Sequence, residues 1–481
     1  MNFVSYEFCI FLAIVWAMFL VTPAKLRWVL LLAAGYVFYA AWSIPFIAVI
    51  IASTTVDYAA SIVIYQSKSK RVKQLVLALA IVINILTLCL FKYLNLILDA
   101  HFNVCSIFKW NSTLPREMDI FLPIGISYYT FEAISYVVDV YRGQKPAPDW
   151  LRYSFYIMYF PHLIAGPIVR FSELWSQYEF KIDRPSPERV RKGFELLVLG
   201  FFFKTVIADS FVWLVDPVYA NPEAATVLSA YAAALGFCAQ LYMDFLGYSH
   251  IARGSSLLFN IELPINFNHP YSATSFSNFW ERWQISLSRW LRDYIYKPLG
   301  GSKKTVQITV LNTLIVFLIA GIWHGATATF VLYGIQWGVV SALYVLWKHF
   351  RNSDSKPQHN FTSAVQLFAA RSITFIIVFS SIALFRTQNL QGYCGLLRKL
   401  CDLRGLAHDL VHTGGMLEQI TVVSCLICLV IIFGGPTAVK LYDRSVKHWP
   451  YWAKAQAATA VALCCWVMSA NQVKPFIYFQ F

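Results

Sequence analysis

The sequence predicts an all-α integral membrane protein with about 11–12 transmembrane helices, supplemented by short central or re-entrant helices. Three observations carry that expectation. Hydrophobic residues make up 58% of the 481 residues and charged residues only 13%, against about 45–50% and about 25% in soluble domains. Mean hydropathy is +0.55. The apolar residues also fall into runs of roughly the 20 residues that a helix needs to cross a bilayer core. An ordinary soluble enzyme is excluded. The 39 Lys and Arg against 25 Asp and Glu give a net charge of +14, but the cations sit in short loops between apolar runs. They point to a membrane as the partner and not to nucleic acid, whose binders carry a basic stripe on a polar surface.

The first run covers about 3–21, with no basic residue before it and Lys25 and Arg27 after it. That order is the reverse of a cleavable signal peptide, so the run reads as a retained anchor with its N-terminus outside. Further runs follow at about 28–42, 44–64, 74–97, 119–140, 193–214, 226–246, 305–322, 328–347, 371–388, 419–438 and 453–471. Alternation from an outside N-terminus places Lys68, Lys70, Arg71 and Lys73 in the cytoplasm. The groups Arg184, Arg189, Arg191, Lys192, then Lys348, Arg351, Lys356, then Lys440, Arg444, Lys447 fall inside as well, as the positive-inside rule requires. The exception is the loop with Arg398, Lys399 and Arg404, and long loops follow that rule weakly.

Two stretches do not read as simple spans. Residues 151–175 hold Phe160-Pro161-His162 and Gly166-Pro167 within a short apolar run, and proline breaks the helical ladder; a re-entrant hairpin is expected. Residues 247–304 mix aromatic residues with Arg253, Glu262, Glu281, Arg282, Arg289, Arg292 and Asp293. Such a segment must be buried in protein or line a water-filled cavity. With no internal repeat and no linker, 1–481 reads as a single polytopic domain.

The signatures of soluble catalysts and nucleotide binders are absent, and no metal-ligand pattern is present. Cys425, Cys428, Cys464 and Cys465 lie within apolar runs, where cysteine packs as a small hydrophobe. His101, His349, His359, His408, His412 and His448 fall in loops or at run ends and read as solvated. His324 differs, because Gly321-Ile322-Trp323-His324-Gly325-Ala326 puts it at the junction of two spans. An ionisable group inside a membrane is a functional candidate; the bland alternative is a histidine hydrogen-bonded between helices.

Several stretches together resemble the membrane-bound O-acyltransferases of the bacterial alginate O-acetylase type. They are 122–127, 139–143, Phe160 to Arg170 around Ala165-Gly166-Pro167, Lys204 to Asp209, Asp244 to Ser249 and Pro264 to Tyr271. The most specific is Phe279-Trp280-Glu281-Arg282-Trp283-Gln284-Ile285-Ser286-Leu287-Ser288, which runs on through Trp290-Leu291-Arg292-Asp293-Tyr294 to Gly301. Trp323-His324-Gly325-Ala326 and the closing 474–481 complete the set, whose core is about 120–345.

The resemblance implies a ring of tilted helices with a cytoplasmic cavity and an outer one. It implies transfer of acetyl from cytoplasmic acetyl-CoA, with no bound cofactor, to an exported polysaccharide such as alginate or another cell-surface glycan. A periplasmic acetyltransferase or acetyl carrier is the expected partner, and the bacterial inner membrane the location. The family's invariant histidine corresponds to His324. Its second polar position, commonly His in this branch, corresponds to Gln284, a departure; His250 likewise stands where relatives often carry Asp. Acyl transfer to a hydroxyl needs a base, which neutral His324 supplies near pH 7. Gln284 cannot be a base but can donate to a carbonyl oxygen; its alternative role is packing. Arg282, Arg289, Arg292, Lys303 and Lys304 are candidates for the donor's phosphates, although the positive-inside rule alone would place cations there. Trp280, Trp283, Trp290, Tyr294 and Trp323 are candidates for an acyl passage, against the plainer role of an aromatic core. D-alanyl transfer to a cell-envelope polymer is the near alternative. A transporter or flippase is the distant one, and it would show repeated halves.

The charge pattern makes a direct prediction. Cysteine introduced at Lys70 stays unlabelled by an impermeant thiol reagent in intact cells and becomes labelled after permeabilisation. Labelling in intact cells contradicts an outside N-terminus.

Overall fold

The computed structural model describes residues 1–112, 114, 115, 118, 121–164, 166–179, 181–351, 364–412, 415–445, 448–469, 476 and 477. Ala165, Lys356, His359, Lys447 and residues 474, 475 and 478–481 lie outside the described residues. All regular elements among the described residues are helical. Among the described residues, seven helices are long and apolar enough to cross a membrane: Pro45–Gln66, Lys70–Lys92, Pro187–Ala220, Val306–His324, Ala328–Phe350, Val365–Arg386 and Glu418–Leu441. Shorter apolar helices among them are Tyr6–Val21, Arg27–Ala40, Leu94–Phe108 and Gln456–Cys465. The protein is an all-α, multi-pass membrane protein.

The apolar runs at 119–140 and 226–246 take a different place. They become Ile126–Tyr141 and Val227–Leu258, and both are buried along most of their length. A helix shielded on all faces by protein need not meet the hydropathy of a lipid-facing span, which is why Glu132, Asp139 and Asp244 are tolerated on them.

The chain forms two compact units. The first comprises Met1–Leu197 and Tyr248–Pro264. In it, Arg27–Ala40 packs so closely on Trp150–Met158 that a Cβ at Gly35 would stand 1.9 Å from the Met158 carbonyl oxygen. The proline-bearing stretch 151–175 is a set of short helices and not one span. Trp150–Met158 stops at Tyr159, and Phe160–Leu163 restarts with Pro161 in its first turn, where proline's missing N–H costs nothing. Residues 153–164 are all buried. Several polar atoms of this stretch have close partners: His162 Nδ1 lies 2.9 Å from Glu132 Oε1, which also accepts from the Val169 N–H at 3.1 Å. The Tyr156 hydroxyl donates to the Val169 carbonyl at 2.7 Å. Irregular backbone at membrane depth survives only with such partners.

The second unit comprises Val198–Gly247 and Ile265–Phe481. Three of the sequence stretches that are far apart in the chain meet there in one ion cluster. Lys204 Nζ stands 2.6 Å from Asp209 Oδ1 and 2.6 Å from Asp244 Oδ1, and the other Asp244 oxygen accepts from the Ile477 N–H at 3.1 Å. Lys204 and Asp244 are fully buried, and Lys204 is carried by a π-helical stretch, Phe202–Ala208. Next to Asp244, Phe245 packs on Phe476 with ring centroids 5.3 Å apart. The cluster thereby holds Phe476 and Ile477 in the interior of this unit.

Removing one member of a buried ion pair leaves the other charge uncompensated, at a cost of about 3–5 kcal/mol. Lys204→Met, similar in size but neutral, is therefore expected to lower the thermal midpoint of the detergent-held protein sharply. An unchanged midpoint shows that the cluster does not hold the unit together.

Candidate active site

The second unit holds a partly open cavity of about 1130 Å³, larger than the roughly 300–1,000 Å³ typical of small-molecule sites. Its walls come mainly from three segments, joined by Ser302, Lys304 and Thr305. One is a stripe along Val306–His324, in which Val306, Thr309, Val316, Phe317, Ala320 and His324 face the space. At about 1.5 Å rise per residue, that stripe runs some 27 Å. The second is the later half of Ala328–Phe350, from Ser341 to His349. The third is the polar stretch 276–296, which supplies Trp280, Ile285, Ser288, Arg289 and Arg292 among others.

The two long helices form a hairpin, and its crossing explains the glycines of the histidine motif. A Cβ on Gly321 would lie 2.4 Å from the Phe330 carbonyl oxygen and 2.7 Å from the Gly334 Cα. A Cβ on Gly325 would meet the Phe330 ring at 2.2 Å. Small residues at such crossings let backbones approach within membranes. The hairpin brings the start of the first helix beside the end of the second. Lys304, Lys348 and His349 therefore lie at one end of the cavity and His324 at the other.

His324 closes Val306–His324 and is 4% exposed. Its ring is surrounded by the rings of Trp323 at 4.9 Å, Phe385 at 5.2 Å, Tyr333 at 5.6 Å and Phe330 at 6.5 Å. Apolar aromatic walls lower the local polarity and strengthen the electrostatic interactions made by a proton-carrying group.

The third wall is held against the hairpin by aromatic stacking. Phe279 lies parallel to Trp337 at 5.4 Å, and Trp280 meets the same ring edge-on at 4.9 Å. Trp283 packs into Phe267, Tyr242 and Tyr271. Beyond Trp283 the chain turns sharply: Gln284 has φ 42 and ψ 56, a left-handed conformation, and precedes the helix Ile285–Leu291. Gln284 is 1% exposed, and neither its amide nitrogen nor its amide oxygen has a hydrogen-bond partner among the described residues.

The expected site residues separate into groups. His324, Trp280, Arg289, Arg292 and Lys304 line one cavity. Gln284 lies next to the lining residue Ile285 but is not itself on the wall. Arg282 is occupied elsewhere: its guanidinium donates to Asn278 Oδ1 at 3.0 Å, to the Asn268 carbonyl at 3.2 Å and to Ser272 Oγ at 3.4 Å, tying a loop together. Lys303 is exposed and off the wall. Arg292 reaches Asp293 at 3.2 Å, so part of its charge is compensated. Trp283, Trp290, Tyr294 and Trp323 do not line the cavity; Trp290 packs against Tyr294 with tilted rings, centroids 5.4 Å apart. His250 lies in the other unit on Val227–Leu258. The sequence marks Lys348 only as a cytoplasmic loop cation and not as a wall residue, and Trp337, the anchor of the third wall, sits in an unremarkable apolar span.

Known proteins bear directly on this geometry. A family model described as MBOAT, membrane-bound O-acyltransferase family, matches residues 119–386, which include the whole cavity wall. The chain belongs to the membrane-bound O-acyltransferase family. It is similar to the probable alginate O-acetylase AlgI of Azotobacter vinelandii, with 38% identity over 69% of this chain and 66% of that protein. It is also similar to the peptidoglycan O-acetyltransferase of Helicobacter pylori, with 29% identity over 94% of this chain and 91% of that protein. The teichoic acid D-alanyltransferase of Lacticaseibacillus rhamnosus matches 51% of this chain at 31% identity. As a member of this family, the protein is an enzyme, an O-acyltransferase.

A left-handed backbone costs a non-glycine residue roughly 1–2 kcal/mol, which only a constrained site sustains. At position 284 the usual order of replacements should therefore invert. Gln284→Gly is expected to unfold at a higher temperature than Gln284→Ala, by an amount equivalent to about 1 kcal/mol. Equal midpoints, or Ala above Gly, contradict a strained turn.

Proposed function

We propose that the protein transfers acetyl from cytoplasmic acetyl-CoA to a hydroxyl of an exported polysaccharide, or to a periplasmic acetyl carrier or acetyltransferase that completes the transfer. The setting is the bacterial inner membrane, with the N-terminus outside. The observation that carries this reading is the polarity of the cavity: cations at one end and a buried histidine at the other. The charge pattern of the sequence assigns the end with Lys304 and Lys348 to the cytoplasm, where a phosphate-bearing donor is available. Arg289, Lys304 and Lys348 suit phosphate oxygens, and the space between the ends suits an extended pantetheine arm.

At the far end the chemistry is acyl transfer. The acceptor hydroxyl oxygen attacks the thioester carbonyl carbon, a C–O bond forms, and His324 takes the hydroxyl proton as it does so. The carbonyl oxygen carries negative charge in the tetrahedral state, and the Gln284 amide, buried beside the wall residue Ile285, is the donor assigned to it. When the intermediate collapses, the C–S bond breaks and the proton returns to the leaving thiolate. Acetyl is favoured over D-alanyl because the peptidoglycan O-acetyltransferase aligns over nearly the whole chain, whereas the D-alanyltransferase aligns over about half. The names of the acetylating relatives support a polysaccharide or peptidoglycan acceptor.

Radiolabelled acetyl-CoA supplied to membranes containing the protein tests the reading through the label that appears in polymer or partner. His324→Ala should reduce that label by about 10²–10⁴ while the protein remains folded in the membrane. Gln284→Leu should reduce it by about 10²–10³, and Gln284→His should keep substantial activity, since a neutral imidazole also donates and His tolerates a left-handed backbone. More than half of the wild-type label with His324→Ala removes the histidine from the mechanism. No label from the wild type in any fraction favours transport instead.

A further inference from the structure

The strained turn at Gln284 raises a question of positioning. Gln284 is the residue immediately before Ile285–Leu291, the position whose side chain ordinarily accepts a bond from the free N–H groups of the first turn. It makes no such bond. Those N–H groups are instead taken by a residue from another segment. The Ile285 N–H donates to the Asn266 carbonyl at 2.9 Å, and the Ser286 N–H donates to Asn266 Oδ1 at 3.3 Å. The Ser286 hydroxyl donates to the same oxygen at 2.6 Å. On the other side of the turn, the Asn268 N–H donates to the Arg282 carbonyl at 3.0 Å. Segment 266–268 thus brackets residues 282–286 from both sides, and Asn266 is itself 2% exposed.

We infer that Asn266 is a positioning residue that caps the helix after Gln284 in place of Gln284 itself and so leaves the Gln284 amide unpaired directly beside the wall residue Ile285. The inference rests on the reading of Gln284 as the site's carbonyl donor. It accounts for two facts at once. The backbone at 284 is held left-handed although glutamine disfavours it, because bonds on both flanks outweigh a cost of roughly 1–2 kcal/mol. The Gln284 amide is buried without a protein partner, an expensive state that persists in native proteins where there is a functional reason. The Asn266 contribution is made through its oxygen; its amide nitrogen bonds to none of the described residues.

The assignment of work to Oδ1 makes the replacements diagnostic. Aspartate preserves an acceptor at the same place and loses the amide nitrogen, whereas alanine loses both. Label transfer from radiolabelled acetyl-CoA is measured in membranes carrying the full chain, with rates normalised to folded protein. Asn266→Ala should lower kcat by about 10², the scale expected when a reacting group is misplaced by about an ångström, with KM for acetyl-CoA within about threefold. Asn266→Asp should restore kcat to within about tenfold of wild type, since one hydrogen bond of altered strength is worth about that much. In a Gln284→Leu background, Asn266→Ala should add nothing, because its effect is exerted through the amide already removed. Ser286→Ala, which deletes the 2.6 Å hydroxyl bond to Asn266 Oδ1 and keeps the Asn266 side chain, should give a smaller loss of kcat in the same direction and covers the case in which Asn266→Ala does not fold.

Full activity in Asn266→Ala or Ser286→Ala, an Asp variant as inactive as Ala, or losses that multiply in the double variant each overturn the inference. Wild-type activity in Gln284→Leu alone identifies a different failure, that of Gln284 as carbonyl donor.

Discussion

The close approach of two backbones at Gly321 and Gly334 is the contact on which the site depends. Without side chains at those positions, Val306–His324 and Ala328–Phe350 pack as a tight hairpin. That hairpin does two things: it carries His324 to one end of a long cavity, and it gathers Lys304, Lys348 and His349 at the other. It also presents Trp337, on which Phe279 and Trp280 lie, so the third wall is anchored to the hairpin. In lipid there is little hydrophobic drive between helices, and close van der Waals packing takes its place. Widening the crossing by one methyl group would therefore shift the histidine and the wall together.

The polar stretch 276–301 shows what such a scaffold permits. A segment with three arginines and a left-handed glutamine could not face lipid. Here its backbone groups are answered by Asn266 and Asn268, and its Arg282 side chain by Asn268, Asn278 and Ser272. The turn at Gly300 and Gly301, both at positive φ, is held through their neighbours by Asn312, which donates to the carbonyls of Leu299 and Gly301. These bonds are the condition for placing charged and strained residues at membrane depth.

Much of this was legible in the sequence, for a physical reason. Lipid imposes a strong compositional constraint, so the lipid-facing helices declare themselves by length and apolarity, as Pro45–Gln66 and Lys70–Lys92 do. The exclusion of 247–304 from lipid followed from its charges, and the place of His324 at a span junction from its flanking glycines. Other features left no such mark. Ile126–Tyr141 looks like a span by its apolar residues, but it is shielded by protein, and only Glu132 and Asp139 hinted at that. The division of the cations into wall residues and loop ties depends on side-chain partners that spacing does not encode: Arg282 and Arg289 are alike in sequence and unlike in surroundings. The link of Asp244 to Ile477 spans more than two hundred residues, and the capping of Ile285 by Asn266 requires knowing that Gln284 does not cap. Such long-range substitutions of one partner for another are visible only in three dimensions.

The most direct test of the account is a structure of the membrane-reconstituted protein with a ketone analogue of acetyl-CoA, in which a methylene replaces the thioester sulfur. The account predicts the phosphates among Arg289, Lys304 and Lys348. It places the ketone oxygen within hydrogen-bond distance of the Gln284 amide nitrogen, near the His324 ring. An analogue bound outside the cavity, or lying in it with its ketone at the cationic end, would contradict it.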